Sequence, residues 1–236
     1  MDRSPRKIGS RRARVEDEAN AQDERATRLV TNLDPMSAVS EAYRALRTNL
    51  FYAFSGEPPK VIVLTSPDTG EGKSTVCANL GVVLAQAGKN SLIIDCDLRD
   101  PAIHKFFGLH NLYGFVDVLA GVYSLQETWR EPVEGIKVVT AGHLPPNPAE
   151  LLGTGRFSEV LVSVWHEFDY ILVDSPPAGV VSDAAILAAQ GNGVLLVLDA
   201  QKTRKGSVRQ TIRDLQAVGA KLLGTVMYNV KHPREW

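Results

Sequence analysis

Several features that often reveal a protein's class are scarce or missing in this sequence. Its 236 residues include only two cysteines, Cys77 and Cys96, which are too few for a disulfide framework and lack the spacing of a metal site. The formal net charge is only -1, so the overall charge does not predict a nucleic-acid partner. No apolar run reaches the roughly 18–20 residues that cross a bilayer, and the N-terminus lacks the apolar segment of a signal peptide. These absences predict a cytoplasmic protein that reaches a membrane only through a partner or a basic segment.

Large apolar residues are also scarce between residues 1 and 34. Basic residues come first in this segment, from Arg3 to Arg14, and acidic residues follow, from Glu16 to Glu24. Such a segment buries too little apolar surface to offset the entropy cost of ordering. We therefore predict a disordered arm over residues 1–34 and one globular domain over residues 35–236. The basic half of the arm could contact anionic lipid, although a solvated tail is the simpler interpretation.

What the sequence does contain is a glycine-rich stretch between an apolar run and a segment of helical length. Residues 66–75 read S-P-D-T-G-E-G-K-S-T, with the apolar residues 61–65 before them and the helical segment 76–87 after them. Gly70 and Gly72 allow backbone N–H groups to turn inward, and the helix directs its N-terminus at the same point. This order of strand, loop and helix predicts a phosphate-binding loop.

Two side chains in this loop predict a nucleotide as its ligand. Lys73 would reach the outer phosphates, and the Ser74 hydroxyl would take a coordination place on Mg²⁺. The usual expression G-x-x-x-x-G-K-[ST] is met only in part, because Pro67 occupies the position of its first glycine. The residues expected to surround the nucleotide are Asp68, Thr69, Gly70, Glu71, Gly72, Lys73, Ser74 and Thr75.

Carboxylates follow two of the other predicted strands. The apolar run that starts at Ser91 leads to Asp95 and Asp97, which the alternation of side chains places on the same side of the strand. A further apolar strand ends at Asp174, where a phosphate-loop protein places the carboxylate that holds Mg²⁺ directly or through water. Loop carboxylates exposed to water are the simpler alternative for Asp95 and Asp97.

Strands and helices alternate along the rest of the chain. We predict strands at residues 61–65, from 91, and at 136–140, 169–174, 193–199 and 222–228, with helices at 35–53, 76–87, 114–121, 125–129, from about 149, and at 182–190 and 204–218. This alternation predicts an α/β fold with a doubly wound, mainly parallel sheet. Ligands in such folds bind at the carboxyl ends of the strands, where Ser66, Asp95 and Asp174 lie.

Taken in this order, the motifs resemble those of the bacterial tyrosine kinases of capsule and exopolysaccharide assembly, which share a deviant P-loop NTPase fold. The resemblance covers residues 35–229, and in that family the phosphate loop commonly lacks its first glycine. Residues 92–101 are similar to the family's second nucleotide motif, Walker A′, and residues 171–177 to its Walker B motif. Residues 145–152, P-P-N-P-A-E-L-L, are also typical of the family.

The resemblance implies ATP-dependent transfer of phosphate to a protein tyrosine, with ATP and Mg²⁺ as cofactors. Lys73 would hold the phosphates, and Ser74, Asp97 and Asp174 would hold the metal directly or through water. Asp95 is the expected acceptor of the tyrosine hydroxyl proton, although Asp95 and Asp97 could exchange these roles.

Further residues and partners have expected roles. Glu41, Arg44 and Arg47 match the family's E-x-x-R-x-x-R motif, which implies a helix between the subunits of a ring, whereas the residues alone indicate a charged helical stripe. The resemblance implies a membrane protein as partner, whose cytosolic tail recruits and activates the kinase at the inner face of the cell membrane. Arg99 and Asn229 lie where they could assist phosphate and base binding, and a structural role for both stays open.

One feature of the family is missing. Its members usually end in a cluster of tyrosines that neighbouring subunits phosphorylate, whereas residues 232–236 of this chain contain none. The six tyrosines are scattered: Tyr43, Tyr52, Tyr113, Tyr123, Tyr170 and Tyr228. The expected acceptor is therefore another protein or an isolated tyrosine such as Tyr52 or Tyr123.

Two other functions stay open. The first is a partition or septum-placement ATPase of the same superfamily, whose signature lysine would stand at Asp68, four residues before Gly72. The second is a regulator of polysaccharide assembly that binds nucleotide and phosphorylates nothing. The absent lysine argues against the first function, and the absent tyrosine cluster supports the second.

Overall fold

A seven-stranded sheet forms the centre of the computed structural model, which describes residues 29–52 and 58–231. The strands are β1 (Val61–Thr65), β2 (Ser91–Asp95), β3 (Arg130–Val133), β4 (Ile136–Val139), β5 (Tyr170–Asp174), β6 (Gly193–Asp199) and β7 (Leu222–Tyr228). They lie in the order β3-β4-β2-β5-β1-β6-β7. Every neighbouring pair is parallel except β3 with β4. The predicted doubly wound, mainly parallel sheet is confirmed.

Helices cover the sheet in two layers. They are α1 (Val30–Leu33), α2 (Ala38–Tyr52), α3 (Lys73–Ala85), α4 (Ile103–Phe106), α5 (Phe115–Leu119), α6 (Leu125–Thr128), α7 (Pro148–Leu152), α8 (Arg156–Ser163), α9 (Asp183–Gln190) and α10 (Lys205–Ala217). Apolar residues of α1 to α4 share one core cluster with the sheet. Those of α5 to α10 share the other.

Strand β1 shows why its sequence is apolar without interruption. Ile62 and Leu64 belong to the core cluster on one face of the sheet, and Val61 and Val63 belong to the cluster on the other. All four side chains are buried, because helices cover both faces of a doubly wound sheet. The strand therefore shows no polar alternation.

The predicted boundary of the arm at residue 34 is wrong. Residues 30–33 form α1, and Leu29 and Thr31 are buried. The Thr31 hydroxyl and backbone N–H both donate to the Asn79 side chain, at 2.9 and 3.1 Å. These bonds fasten α1 to α3, so the domain includes residues from 29 onward. The predicted disorder of residues 1–28 lies outside the described residues, as does Ala53 of the predicted helix.

Some short elements differ from the predictions. The edge strand β3 and the helix α4 lie where we predicted no regular structure, and the helix predicted from about residue 149 is divided into α7 and α8. β3 has the sequence R-E-P-V, whose polar residues and proline lack the apolar pattern of a strand. It forms because antiparallel pairing with β4 across Glu134 and Gly135 satisfies its backbone.

The strand order brings the predicted motifs together. β5 lies between β2 and β1, so the three carboxyl ends that carry Asp95, Asp174 and the phosphate loop are adjacent. Asp95 pairs in register with Asp174. The candidate site therefore lies at this carboxyl edge of the sheet.

Candidate active site

The phosphate loop takes the backbone conformation that its glycines allow. Gly70 and Gly72 have φ angles of 72° and 91°, in the left-handed region that side chains disfavour. At Gly72 a Cβ atom would also lie 2.6 Å from the ring of Tyr228. Gly72 immediately precedes α3, so the free N–H groups of that helix face the loop.

Glu71 stabilises the phosphate loop through two hydrogen bonds. Its side chain is only 2% exposed, and it accepts a hydrogen bond from the Asp68 N–H at 3.2 Å. It also accepts one from the Thr203 hydroxyl. Glu71 therefore ties the loop to the segment after β6, and its carboxylate is not free to contact a phosphate.

The pocket beside the loop has a basic and an acidic side. Its lining includes Lys73, the first residue of α3, together with Asp97. Lys73 is 7% exposed, so its charge is largely withdrawn from water. The remaining lining residues are Gly70, Gly72, Ser74, Thr75, Asp100, Ala102, Phe106 and Tyr228. A buried ammonium beside loop N–H groups is suited to bind the phosphates of a nucleotide.

Asp174, at the end of β5, is buried and unpaired. Neither carboxylate oxygen has a hydrogen-bond partner among the described residues. Burial raises the pKa of this carboxyl to about 7, although Lys73 and the nearby Ser74 hydroxyl favour its charged form. A buried carboxylate without a partner is costly, and a bound cation would remove that cost. The residues present therefore fit a divalent cation held near Asp174.

Asp95 and Asp97 have different surroundings, although both follow β2. Asp95 is fully buried and accepts three backbone hydrogen bonds, from the N–H groups of Asp97, Ala102 and Ile103, at 3.2, 3.1 and 3.0 Å. Burial and the neighbouring Asp174 raise the pKa of Asp95.

Asp97 belongs to the pocket instead. It is 6% exposed, and its Oδ1 accepts hydrogen bonds from the N–H groups of Arg99 and Asp100, at 3.3 and 3.1 Å. Burial raises the pKa of Asp97, and Lys73 opposes that shift. Asp95 therefore organises the loop after β2, whereas Asp97 faces the pocket.

Arg99 and Asn229 have structural partners. The guanidinium of Arg99 donates twice to the buried Asp183, at 2.8 and 3.0 Å. Asn229 has a φ of 58°, and its Nδ2 lies 3.3 Å from both oxygens of Asp199. Within the described part of the chain, neither residue lines the pocket. Their expected phosphate and base contacts stay predictions.

Two aromatic residues of the pocket were not predicted. Tyr228 is the last residue of β7, and its ring packs against Gly72. Phe106 comes from α4. The position of Tyr228 at the carboxyl end of a parallel strand was the available signal, because ligands bind at that edge.

The motif of α2 makes contacts within its own chain. Arg44 forms an ion pair with Glu41, and Arg47 donates to the Val83 carbonyl of α3 at 2.9 Å. The Glu41 side chain is 65% exposed, whereas that of Arg44 is 24% exposed. Glu41 is therefore the most accessible group of the motif, and the role of the helix between subunits stays a prediction.

Comparison with known proteins identifies the family. The family model described as "ParA: NUBPL iron-transfer P-loop NTPase" matches residues 58–233. The tyrosine-protein kinase YwqD of Bacillus subtilis (strain 168) is 38% identical over 204 residues, which are 86% of this chain and 86% of that protein. The chain belongs to the bacterial tyrosine kinases. Iron transfer describes the proteins for which the family model is named, and this bacterial tyrosine kinase shares the P-loop NTPase domain with them.

Solved structures confirm the fold of this bacterial tyrosine kinase. The kinase domain of the Escherichia coli tyrosine kinase ETK superposes with a TM-score of 0.82 and 30% identity, over 88% of this chain and 83% of that chain. The septum site-determining protein MinD from Pyrococcus horikoshii OT3, complexed with Mg-ADP, gives 0.61 and 25%, over 71% of this chain and 69% of that chain. The P-loop NTPase domain establishes nucleotide binding. The described segments of this bacterial tyrosine kinase contain no helix long and apolar enough to cross a membrane.

Proposed function

We propose that this protein is an ATP-dependent protein-tyrosine kinase that regulates the polymerisation and export of capsular polysaccharide or exopolysaccharide. One observation carries the proposal. In a chain of the tyrosine kinase family, the buried and unpaired Asp174 lies beside Lys73 and the phosphate loop. This arrangement favours a phosphate group and a divalent cation bound together.

The residues divide the work of phosphoryl transfer. Lys73 and the loop N–H groups hold the phosphates and offset the charge that spreads over the transferred group. Ser74 and Asp174 would hold Mg²⁺ directly or through water, whereas Asp97, for which the resemblance implies a metal role, is instead proposed as the proton acceptor. When bound, ATP supplies the phosphoryl group and Mg²⁺ neutralises its oxygens. Mg²⁺ in such sites is usually held by one or two carboxylates together with substrate phosphates and water, so nucleotide oxygens and water would complete its coordination here.

The proton of the substrate hydroxyl needs a nearby base. Asp97 lines the pocket, whereas Asp95 is fully buried and already accepts three backbone hydrogen bonds. This difference supports one half of the exchange, with Asp97 as the proton acceptor, whereas Asp95 positions the loop that carries Asp97 and takes no metal role. Asp97→Asn should therefore lower kcat far more than it changes the KM for ATP.

Partners complete the proposal. We expect a transmembrane polysaccharide protein whose cytosolic tail activates the kinase at the inner face of the membrane. A homo-oligomeric ring would place α2, with its exposed Glu41, between subunits. A protein tyrosine is the expected substrate, and no nucleic acid is expected. The support for these partners is the family and the motif of α2.

The first test is anti-phosphotyrosine detection with Mg·ATP, using a random copolymer of glutamate and tyrosine as the added acceptor. Lys73→Met should lower transfer by about 10²–10³-fold, because one buried electrostatic donor is lost. Lys89→Met is the matched control, since Lys89 lies near the other end of α3 and pairs with Asp169 at 3.6 Å. The control should keep its activity.

The assay should be repeated with the cytosolic tail of a membrane protein encoded beside the kinase. Nucleotide binding without phosphotyrosine in either condition would contradict the kinase proposal and favour a nucleotide-dependent regulator. Equal activity of the Lys73→Met and Lys89→Met proteins would contradict the assignment of Lys73.

A further inference from the structure

The last part of the described chain carries a strong excess of positive charge. Residues 200–231 contain seven basic residues and one acidic residue, although the formal net charge of the whole chain is only -1. Charges of opposite sign are therefore segregated along the sequence, and this basic segment comprises α10 and the edge strand β7. The basic residues are Lys202, Arg204, Lys205, Arg209, Arg213, Lys221 and Lys231, and the acidic residue is Asp214.

Helix α10 places three of these charges in one row. Lys205, Arg209 and Arg213 follow one another at intervals of four residues, and all three residues are exposed. None of them forms an ion pair with a residue that the structure describes. The apolar side of the helix packs into the core through Val208 and Leu215. The three exposed residues, which we call the basic row, therefore keep their charge available to another molecule.

The basic row points away from the neighbouring helix α9. The Thr211 hydroxyl is buried on the side of α9, 3.2 Å from the position that a Cβ atom would take on Gly179 in the loop before that helix. Arg209 and Arg213 are each two residues from Thr211, which places them about 200° around the helix from it. The row therefore lies on the outer side of α10.

An exposed apolar side chain of β7 lies on the same face of the sheet as α10. Val226 and Tyr228 pack against the core cluster that contains α1 to α4, so Met227, between them, points to the face that α10 covers. Met227 is 55% exposed at the edge of the sheet. The Ala200 N–H, shortly before α10, donates to the Tyr228 carbonyl at 2.9 Å. The start of α10 and the end of β7 are therefore adjacent, and they present basic and apolar side chains together.

We propose that the basic row is a contact surface for a membrane that contains anionic lipids. Basic side chains are attracted to the headgroups of such a membrane, and an exposed apolar side chain such as Met227 enters the boundary between headgroups and acyl chains. Nucleic acid would attract the same charges but would gain little from Met227. Because the apolar face of α10 packs into the core, the helix would lie on the membrane surface without insertion. This contact goes beyond the proposed kinase function, since it requires neither nucleotide nor the membrane partner.

The proposed contact is compatible with the other surfaces of the protein. α2 packs in the helical layer on the other face of the sheet, so it can contact a neighbouring subunit while the basic row faces a membrane. Thr203, two residues before α10, donates a hydrogen bond to Glu71 of the phosphate loop. Membrane contact through α10 would therefore hold the nucleotide pocket close to the bilayer.

The test is co-sedimentation of the full-length protein with vesicles, in the absence of nucleotide. The vesicles contain phosphatidylcholine with about one-third phosphatidylglycerol, and vesicles of phosphatidylcholine alone are the uncharged reference. We expect binding only to the anionic vesicles. The triple change Lys205→Gln, Arg209→Gln and Arg213→Gln should weaken that binding about 100-fold, because each basic residue near an anionic surface strengthens binding about five-fold.

Two further variants test the position and the chemistry of the contact. Arg11→Gln, Arg12→Gln and Arg14→Gln together remove the same charge from residues 1–28 and should weaken vesicle binding by less than about three-fold. Met227→Ser should weaken vesicle binding several-fold, because an apolar contact with the lipid is lost. Thermal unfolding of all three variants should match that of the wild type, so that a loss of binding reports a change of the surface and not of the fold.

Three outcomes would overturn the inference. Absence of wild-type binding to anionic vesicles, or binding that depends on residues 11–14 and not on α10, would remove the basic row as the contact. Tighter binding to duplex DNA, lost in the triple variant and unaffected by Met227→Ser, would assign the row to nucleic acid. Loss of a wild-type oligomer in the triple variant would assign it to subunit contact. Copolymer phosphorylation is measured separately, so its absence in a protein that binds vesicles would overturn the kinase proposal alone.

Discussion

Asp174 and Asp183 are both fully buried aspartates, and their surroundings are opposite. Asp183 begins α9 and accepts two hydrogen bonds from the Arg99 guanidinium, at 2.8 and 3.0 Å. Asp174 ends β5, and both of its oxygens lack a hydrogen-bond partner in the part of the chain that the structure describes. The same side chain is therefore compensated in one region of the molecule and left uncompensated in another.

The difference separates a structural carboxylate from a functional one. The charge of Asp183 is offset by Arg99 and by the positive end of the α9 dipole. Burial raises the pKa of Asp174 to about 7, and Lys73 and the nearby Ser74 hydroxyl offset its charge only in part. The free energy cost of burying the Asp174 charge is not removed within the protein, so a cation that binds beside Asp174 can remove it. The region around Asp174 is therefore the one expected to bind a ligand.

The strongest test of this comparison is Asp174→Asn. The amide keeps the shape of the side chain but cannot hold a cation, so kinase activity should fall by about 10²–10³-fold. The nucleotide-free variant should unfold at the same temperature as the wild type or higher, because a buried charge has been removed. Steady-state kinetics and thermal unfolding measure the two effects. A clear loss of stability without loss of activity would show that Asp174 is structural.

The second test uses pH. The carboxyl of Asp174 has a pKa of about 7 in the folded protein, against an ordinary value of 3.8, so the folded state holds the proton more tightly than the unfolded state. The free energy of unfolding of the nucleotide-free protein should therefore fall as the pH rises from about 4 to 7, and level off above that range. The raised pKa values of Asp95 and Asp97 act in the same direction.

Urea unfolding of the wild type and of Asp174→Asn, measured across this pH range, isolates the contribution of Asp174. The variant should show the shallower dependence on pH, and the two proteins should differ by about 1–3 kcal/mol near neutral pH. Parallel curves would mean that Asp174 is not desolvated in the free protein.

The third test removes the ion pair between Arg99 and Asp183. Asp183→Asn removes a charge-assisted pair and should lower the free energy of unfolding by about 1–2 kcal/mol, since Arg99 is 44% exposed and can return to water. Arg99→Gln should cost more, about 3–5 kcal/mol, because it leaves the fully buried Asp183 without its charged partner, and neither change should alter the KM for ATP. An increase in the KM for ATP in Arg99→Gln, but not in Asp183→Asn, would support the predicted contact between Arg99 and a phosphate.

The role of Asp174 could be predicted from the sequence, whereas the role of Asp183 could not. Asp174 ends an apolar strand that follows a phosphate loop along the chain, and this order of motifs indicated a carboxylate near Mg²⁺. The partner of Arg99 is Asp183, 84 residues away, and no local pattern connects them. Contacts of this kind depend on the strand order, which was not predicted.

The same reason limits prediction of the pocket. The loop residues around Lys73 were predicted from their spacing, whereas the packing of Tyr228 on Gly72 requires β7 to lie two strands from β1. Helix α1 was missed because it is only four residues long and is held by contacts distant in sequence, namely the hydrogen bonds between Thr31 and Asn79 and the packing of Val30 against the core. Predictions therefore succeeded where the signal lay within one element and its neighbouring loop.

The smallest expected effect on stability comes from changing Glu41, whose charge is exposed on α2 and is not required for folding of a single chain. Glu41 pairs with Arg44 on α2 while remaining 65% exposed, and exposed ion pairs contribute about 0.2–1 kcal/mol. Glu41→Gln should therefore change the free energy of unfolding of dilute protein by less than about 0.5 kcal/mol. If α2 packs between subunits, the same change should reduce the oligomer observed by sedimentation at higher protein concentration, because a buried interface pair would lose its acceptor. Unchanged sedimentation would assign Glu41 to the solvated surface, and a large loss of stability would place it with Asp183 among the structural carboxylates.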